Sequence, residues 1–111
     1  MLALVCSPMY CISRISQQTW NGVNFAKAID RRKLYGTVIK EVEVESESVC
    51  RLACVEEQRC QSYNFGTRRN DDGKFHCELS DSDRFYCHAN FTADENFKYR
   101  GIQVSLKRSI S

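Results

Sequence analysis

Cysteine and histidine are the residues whose types and spacing could support chemistry in this chain of 111 residues, which contains seven cysteines and two histidines. Thiols in such numbers can form disulfides, bind zinc together with histidine, or act as nucleophiles beside a base. These uses need different arrangements, so the elements that position the cysteines decide between them. Four of the cysteines fall in one stretch, at Cys50, Cys54, Cys60 and Cys77.

The spacing does not favour a zinc site or a catalytic thiol. Structural zinc sites repeat a closely spaced cysteine pair, whereas sixteen residues separate Cys60 from Cys77. His76 is adjacent to Cys77 and therefore faces the other side of a strand. No cysteine stands at a predicted helix N-terminus beside a basic partner. We predict no metal, no cofactor and no catalytic residue, and we interpret His76 and His88 as surface residues.

Residues 46–58 have the helical period that would position two of the cysteines. Ser46 is the expected N-cap, and Glu47 suits the positive end of the helix dipole. The sequence therefore predicts one amphipathic helix here. One face of this helix carries Val49, Cys50, Ala53 and Cys54, and the two thiols are expected to point towards the sheet.

Strands are predicted on both sides of this helix. Residues 23–29 alternate as a first strand, and the polar residues 30–33 indicate a turn before Leu34. Residues 34–44 are rich in β-branched side chains, but their alternation slips near Lys40, which predicts a bulge or a strand end.

After the helix, residues 60–66 and 75–79 predict a hairpin whose loop, residues 67–74, carries turn-forming residues. Residues 80–96 are polar and are predicted to be irregular. Residues 97–100 alternate again and predict a closing strand.

These elements suggest how the four cysteines pair. Cys50 and Cys54 would have Cβ atoms about 5–6 Å apart on the helix, which is too far for a disulfide. The chain leaving the helix brings Cys60 near Cys54, and this leaves Cys77 for Cys50. The Cys50–Cys77 bond would close a long loop and contribute about 3–4 kcal/mol.

The motifs Cys50-x3-Cys54, Cys60-x-Ser62-x-Asn64 and Cys77-Glu78-Leu79, preceded by a valine-rich strand, resemble the PAN/apple family over about residues 23–101. The resemblance implies an α+β fold, with a curved antiparallel sheet of about five strands packed against one α-helix. It also implies a non-catalytic module that binds proteins or carbohydrates.

The resemblance divides the chain into an N-terminal tail or possible signal segment at 1–22, a domain at 23–101 and a C-terminal tail at 102–111. Apple domains tend to have a third bridge between their first and last segments, and the candidates here are Cys87 with Cys11 or Cys6. An odd number of cysteines leaves one over, so a disulfide to another chain is also open.

The charge and hydropathy of the chain narrow the class of partner. The net charge is only +2, with acidic and basic residues mixed, so nucleic acid is not expected. No apolar stretch approaches the roughly 18–20 residues of a membrane span. We expect a secreted protein, or one piece of a larger modular protein, with an extracellular protein or glycan ligand. The alternative is a small intracellular cysteine-rich metal-binding or redox protein.

Two further motifs could serve modification or binding. Asn90-Phe91-Thr92 matches the N-glycosylation sequon. The basic residues indicate either a solvated turn between strands or a site for a heparin-like polyanion. They are Arg31, Arg32, Lys33, Arg68 and Arg69.

Alternation along residues 60–66 assigns side chains to two faces. Ser62 and Asn64 are expected to be structural, on the face of Cys60 and hydrogen-bonded near the disulfides. Tyr63 and Phe65 face the other way. We expect them to pack in the core, and the alternative is that they line a binding surface.

Overall fold

The computed structural model describes residues 23–103, which form one five-stranded antiparallel sheet with one α-helix against it. The elements are β1 (Ile29–Leu34), β2 (Val38–Val44), α1 (Glu47–Glu56), β3 (Ser62–Gly66), β4 (Phe75–Ser80) and β5 (Phe91–Gly101), with a short 3-10 turn at His88–Asn90. The order across the sheet is β1-β5-β3-β4-β2, so β1 and β2 are the two edges. The predicted fold class is confirmed.

Helix α1 forms where the sequence predicted it, and its inward stripe carries two fully buried cysteines, Cys50 and Cys54. Ser46 occupies the N-cap position with an extended backbone, but its side chain makes no capping hydrogen bond. Glu47 lies in the first turn, where a negative charge suits the helix dipole. At the other end, the Glu57 N–H bonds back to the carbonyls of the last turn.

The main core lies between α1 and the sheet. Alternation along β3 and β4 directs their large apolar side chains to this face, where all are buried except Phe75, which is partly buried. Full burial of such a side chain contributes about 1.5–3 kcal/mol. The core comprises Val44, Cys50, Cys54, Cys60, Tyr63, Phe65, Cys77, Leu79 and Ile102.

The opposite side of the sheet, which we call the open face, has a smaller apolar cluster of Leu34, Cys87 and Tyr99. Beside it lies Asn64 of β3, which is fully buried and hydrogen-bonds to β1 and to β4. Its Oδ1 accepts from the Leu34 N–H at 2.9 Å, and its Nδ2 donates to the Leu34 carbonyl at 2.9 Å and to Glu78 Oε1 at 3.1 Å. The side chain thus links β3 to β1, although β5 separates these two strands in the sheet order.

The prediction for the first strand was wrong. Residues 30–33 are not a turn, because they lie within β1, whereas Phe25 makes only an isolated bridge to Ile102. An edge strand exposes much of its surface and tolerates polar residues, so the apolar alternation is lost. Arg31 has φ 59°, and the pairing with β5 shifts register between Asp30 and Arg32.

The irregular segment predicted at 80–96 also needs correction, since β5 begins at Phe91 and not at Phe97. Residues 91–93 pair only with the edge strand β1, beyond the end of the β3 pairing. They are therefore solvated on more sides than a central strand, and their polar composition concealed the strand. By contrast, the predicted slip near Lys40 is confirmed by a register shift between Val38 and Lys40.

Ser62 and Asn64 are structural, as expected, but their predicted position near the disulfides was wrong. They lie on the open face, because they alternate with Tyr63 and Phe65, which pack against α1 and the disulfides. Ile102, assigned above to the C-terminal tail, is 7% exposed and belongs to the main core. Within residues 23–103, no helix has the length and apolar character needed to cross a membrane.

Candidate binding surface

Two disulfides fix α1 to the sheet. Cys50 bonds to Cys77 on β4, with Cα atoms 5.6 Å apart. Cys54 bonds to Cys60, with Cα atoms 5.3 Å apart. These are the pairs expected from the sequence, and all four sulfurs lie in the main core. All four cysteines are therefore in disulfides, so none of them is available as a thiolate for zinc binding or catalysis.

Cys87 anchors the loop between β4 and β5, which spans residues 81–90. It is also disulfide-bonded and is 3% exposed. Its expected partners, Cys6 and Cys11, lie outside the described residues, so the choice between them stays a prediction. Ser82 Oγ donates to Cys87 Sγ at 3.2 Å, and the Ser82 carbonyl accepts from Ser62 Oγ at 2.7 Å. The base of this loop is thus fastened to the open face.

The tip of the same loop is held in shape by Asp83. Its Oδ1 accepts from the N–H groups of Phe85 at 3.0 Å and Tyr86 at 2.9 Å, and its carbonyl accepts from the Cys87 N–H. The Arg84 N–H donates to Tyr99 Oη at 2.9 Å. Burial is the main cause that raises the pKa of Tyr99 to about 12, so this hydroxyl stays protonated while it accepts.

An aromatic ring is presented to solvent by this constrained loop tip, which we define as Arg84, Phe85 and Tyr86. Phe85 is 74% exposed, and the Arg84 guanidinium lies 4.1 Å from the centroid of its ring. Tyr86 is 37% exposed. Aromatic residues and arginine are enriched at protein interfaces and among the residues that contribute most to binding energy. The loop tip therefore has the composition of a contact surface.

The turn between β1 and β2 is bonded to the end of this loop. Tyr35 N–H donates to the Asn90 carbonyl at 3.0 Å, and Asn90 Nδ2 donates to the Tyr35 carbonyl at 2.9 Å. Gly36 has φ 84°, and a Cβ there would lie 2.8 Å from Asn90 Nδ2, so a side chain does not fit. The nitrogen that a glycan would modify is thus engaged in the fold, and glycosylation of Asn90 stays a prediction.

The five basic residues do not form one patch. Arg32 lies 5.3 Å from the Phe91 ring of the open face, whereas Arg69 lies 5.3 Å from the ring of Phe75, which packs on the main core. Arg31 shares a groove with acidic residues, including Asp94 and Glu95. Arg68 is exposed in the loop after β3. Binding of a heparin-like polyanion by these residues stays a prediction.

Lys33, the remaining basic residue, points at the sheet and not at solvent. Its Nζ lies 3.1 Å from Glu78 Oε2, and the two side chains are only 15% and 7% exposed. The same ammonium lies 4.0 Å from the centroid of the Phe97 ring and 4.8 Å from that of Tyr35. A lysine held by a buried carboxylate and two rings is not available to a ligand in this conformation.

His76 is the centre of a charged cluster that the sequence did not reveal. It lies on the open face, opposite Glu43 across the β2–β4 ladder. Its Nδ1 is 3.0 Å from Glu43 Oε2, and its Nε2 is 3.1 Å from Glu78 Oε2 and 3.4 Å from Glu41 Oε1. We call His76 and these three carboxylates the histidine cluster. The sequence could not reveal this cluster, because it depends on the register between two strands, and the register is unknown until the strand pairing is known.

Burial and charge act in opposite directions on His76. Its partial burial favours the neutral ring, but the hydrogen bond to Glu43 and the charges of the nearby carboxylates outweigh this effect. The pKa of His76 is therefore raised above 6.5. His76 is thus not an ordinary surface histidine, as the sequence suggested.

The model of the PAN domain family matches residues 25–103 of the chain, nearly the whole of the described region. None of the curated proteins matches the chain.

Proposed function

Since the chain belongs to the PAN domain family, whose modules bind proteins or carbohydrates, we propose that it is a non-catalytic extracellular recognition module. The loop tip is the proposed contact surface, and the observation that carries this proposal is Phe85, 74% exposed on a loop bonded to the sheet at its base. Exposing a large aromatic side chain to water is unfavourable, and covering it with a ligand would contribute about 1.5–3 kcal/mol.

Rigidity of the loop supports the same proposal. Asp83 accepts three main-chain hydrogen bonds within the loop, and Arg84 bonds to Tyr99 through its N–H. A contact surface that is ordered before binding loses less conformational entropy when the ligand arrives. Phe85 and Arg84 would therefore contact the ligand, while Asp83 would act as a positioning residue.

Secretion is proposed on the disulfides, because such bonds persist in oxidising compartments and are rare in the cytosol. All five cysteines within residues 23–103 are disulfide-bonded. This does not favour the alternative of an intracellular metal-binding or redox protein, which would need free thiols. A disulfide to another chain through a further cysteine is part of the proposal, since Cys6 and Cys11 compete for Cys87.

The proposal is tested by binding of the oxidised chain to a glycan array and to a panel of purified extracellular domains. Phe85→Ala should weaken the ligand signals at least tenfold, which corresponds to about 1.4 kcal/mol. Leu52→Ala is the matched control, because Leu52 is 52% exposed on α1, away from the loop. Absence of any ligand in both panels, or equal losses in the two variants, would contradict the proposal.

A further inference from the structure

The histidine cluster has the separations of a small metal site. The Nε2 of His76 lies 3.1 Å from an oxygen of Glu78 and 3.4 Å from an oxygen of Glu41. All three atoms lie within 4.8 Å of one another. Zinc bonded tetrahedrally to nitrogen and oxygen, with bonds of about 2.0–2.2 Å, separates its ligand atoms by about 3.3–3.5 Å. Two of the three separations are already close to that value.

The orientation of the imidazole also suits a metal. Glu43 Oε2 lies 3.0 Å from Nδ1, and its other oxygen accepts from Asn70 Nδ2 at 2.8 Å, which holds the carboxylate in place. When Nδ1–H donates to Glu43, the lone pair of Nε2 faces the other two carboxylates. A carboxylate on the far nitrogen is the usual partner of a histidine that binds zinc.

The charge of the site favours a divalent ion. Three carboxylates face the imidazole, and one cation, Lys33, faces Glu78, so the four charged side chains around the ring carry a net charge of −2. Two further neighbours are uncharged: the Phe97 ring packs edge-on against His76, and Asn64 donates to the second oxygen of Glu78. Imidazole with carboxylates is a zinc-type ligand set, whereas calcium and magnesium prefer oxygen ligands alone.

The backbone positions these ligands without the help of a loop. Glu41 pairs with Glu78, and Glu43 pairs with His76, across adjacent strands of one ladder. We propose that Glu41, His76 and Glu78 bind one zinc ion on the open face of the sheet. Glu43 acts as a positioning residue, and Lys33 is a competing cation that weakens the site. The zinc site does not include the loop tip, so a test of zinc binding does not depend on whether the proposed recognition function is correct.

The test is calorimetric titration of the oxidised full chain with zinc chloride at neutral pH. We expect one ion per chain, and we expect His76→Gln to weaken binding at least tenfold. The matched control, His88→Gln, removes the other histidine and should bind as the wild type does. Glu43→Gln should weaken binding about tenfold, the lower end of the effect for such outer carboxylates.

Lys33→Met distinguishes a metal site from a salt-bridge cluster. This variant removes the competing ammonium but keeps an apolar stem against Phe97, so zinc should bind several-fold more tightly. A gain of affinity is not a result that misfolding would produce. Binding of wild-type protein only at millimolar zinc, equal affinity in His76→Gln, or no gain in Lys33→Met would overturn the proposal.

Discussion

The face of the sheet beneath α1 and the open face are built from the same strands but are stabilised by different interactions. Beneath α1, two disulfides and large apolar side chains fill the space. On the open face the apolar cluster is small, and buried polar groups such as Asn64 and Glu78 hydrogen-bond between strands. Apolar packing tolerates variation in geometry, whereas a buried polar group requires a particular partner. The two faces should therefore respond differently to mutation.

The largest expected effect on stability comes from the disulfides beneath α1. Replacing Cys50 and Cys77 together by alanine should lower the free energy of unfolding by about 3.5 kcal/mol, because the bond closes a long loop. The matched pair Cys54 and Cys60 closes a loop with a sequence separation of only 6, and its loss should cost about 2 kcal/mol. Urea unfolding of both double variants measures the difference, and an equal cost would contradict the loop-length account.

On the open face, Asn64→Ala should cost about 2–3 kcal/mol, because it leaves the buried N–H and carbonyl of Leu34 without partners. Chemical unfolding measures this effect. Asn96→Ala is the control, since Asn96 is exposed and should change stability by less than about 0.5 kcal/mol. A cost for Asn64→Ala no larger than the control's would remove the argument that the open face depends on this amide.

A third prediction concerns the charged link between α1 and the sheet. Glu47 accepts from Tyr63 Oη and Lys98 Nζ, each at 2.7 Å. Burial pushes the pKa of Glu47 upward, but the hydrogen bonds from Lys98 and Tyr63 outweigh it and hold the pKa below 4.5. A carboxyl group whose pKa is lower in the folded state stabilises the fold at pH values above its pKa in the unfolded state. This stabilisation is lost as the pH falls through its pKa in the folded state.

Glu47→Gln should therefore lower the free energy of unfolding by about 1–2 kcal/mol at neutral pH, and the difference from wild type should shrink in acid. Unfolding curves of both proteins from neutral to acidic pH measure this difference in the free energy of unfolding. Glu95→Gln, at an exposed position, should stay within about 0.5 kcal/mol of the wild type. A Glu47→Gln deficit that persists unchanged at the lowest pH would show that the link is not ionic.

The smallest expected effect is at the register shift of β1. Arg31 has φ 59°, a left-handed conformation that costs a residue with a Cβ about 1–2 kcal/mol. Arg31→Gly should raise the free energy of unfolding by about 0.5–1 kcal/mol, since the relief is partly offset by the entropy of glycine. Arg32→Gly, in the regular pairing with Ala93, should instead destabilise the fold. Thermal unfolding of the two variants should therefore shift in opposite directions.

The candidate sites differ in how far sequence could predict them. The four cysteines could be placed because local period fixes a helix and a hairpin, and few pairings then remain. The exposure of Phe85 had no signal, since an aromatic residue in a polar segment can equally be buried against the sheet. The histidine cluster depends on the pairing of Glu43 with His76, residues far apart in the chain.

The sequence by itself determined the helix, the hairpin, the two crosslinks and the family resemblance, because short-range periodicity and cysteine spacing are local properties. Only the tertiary structure decided that residues 30–33 are part of an edge strand, that Lys33 is held by Glu78, and that three glutamates surround His76. The physical reason is that these features arise from the pairing register between strands that are far apart in the sequence. A shift of one residue in that register would turn each of these side chains to the other face.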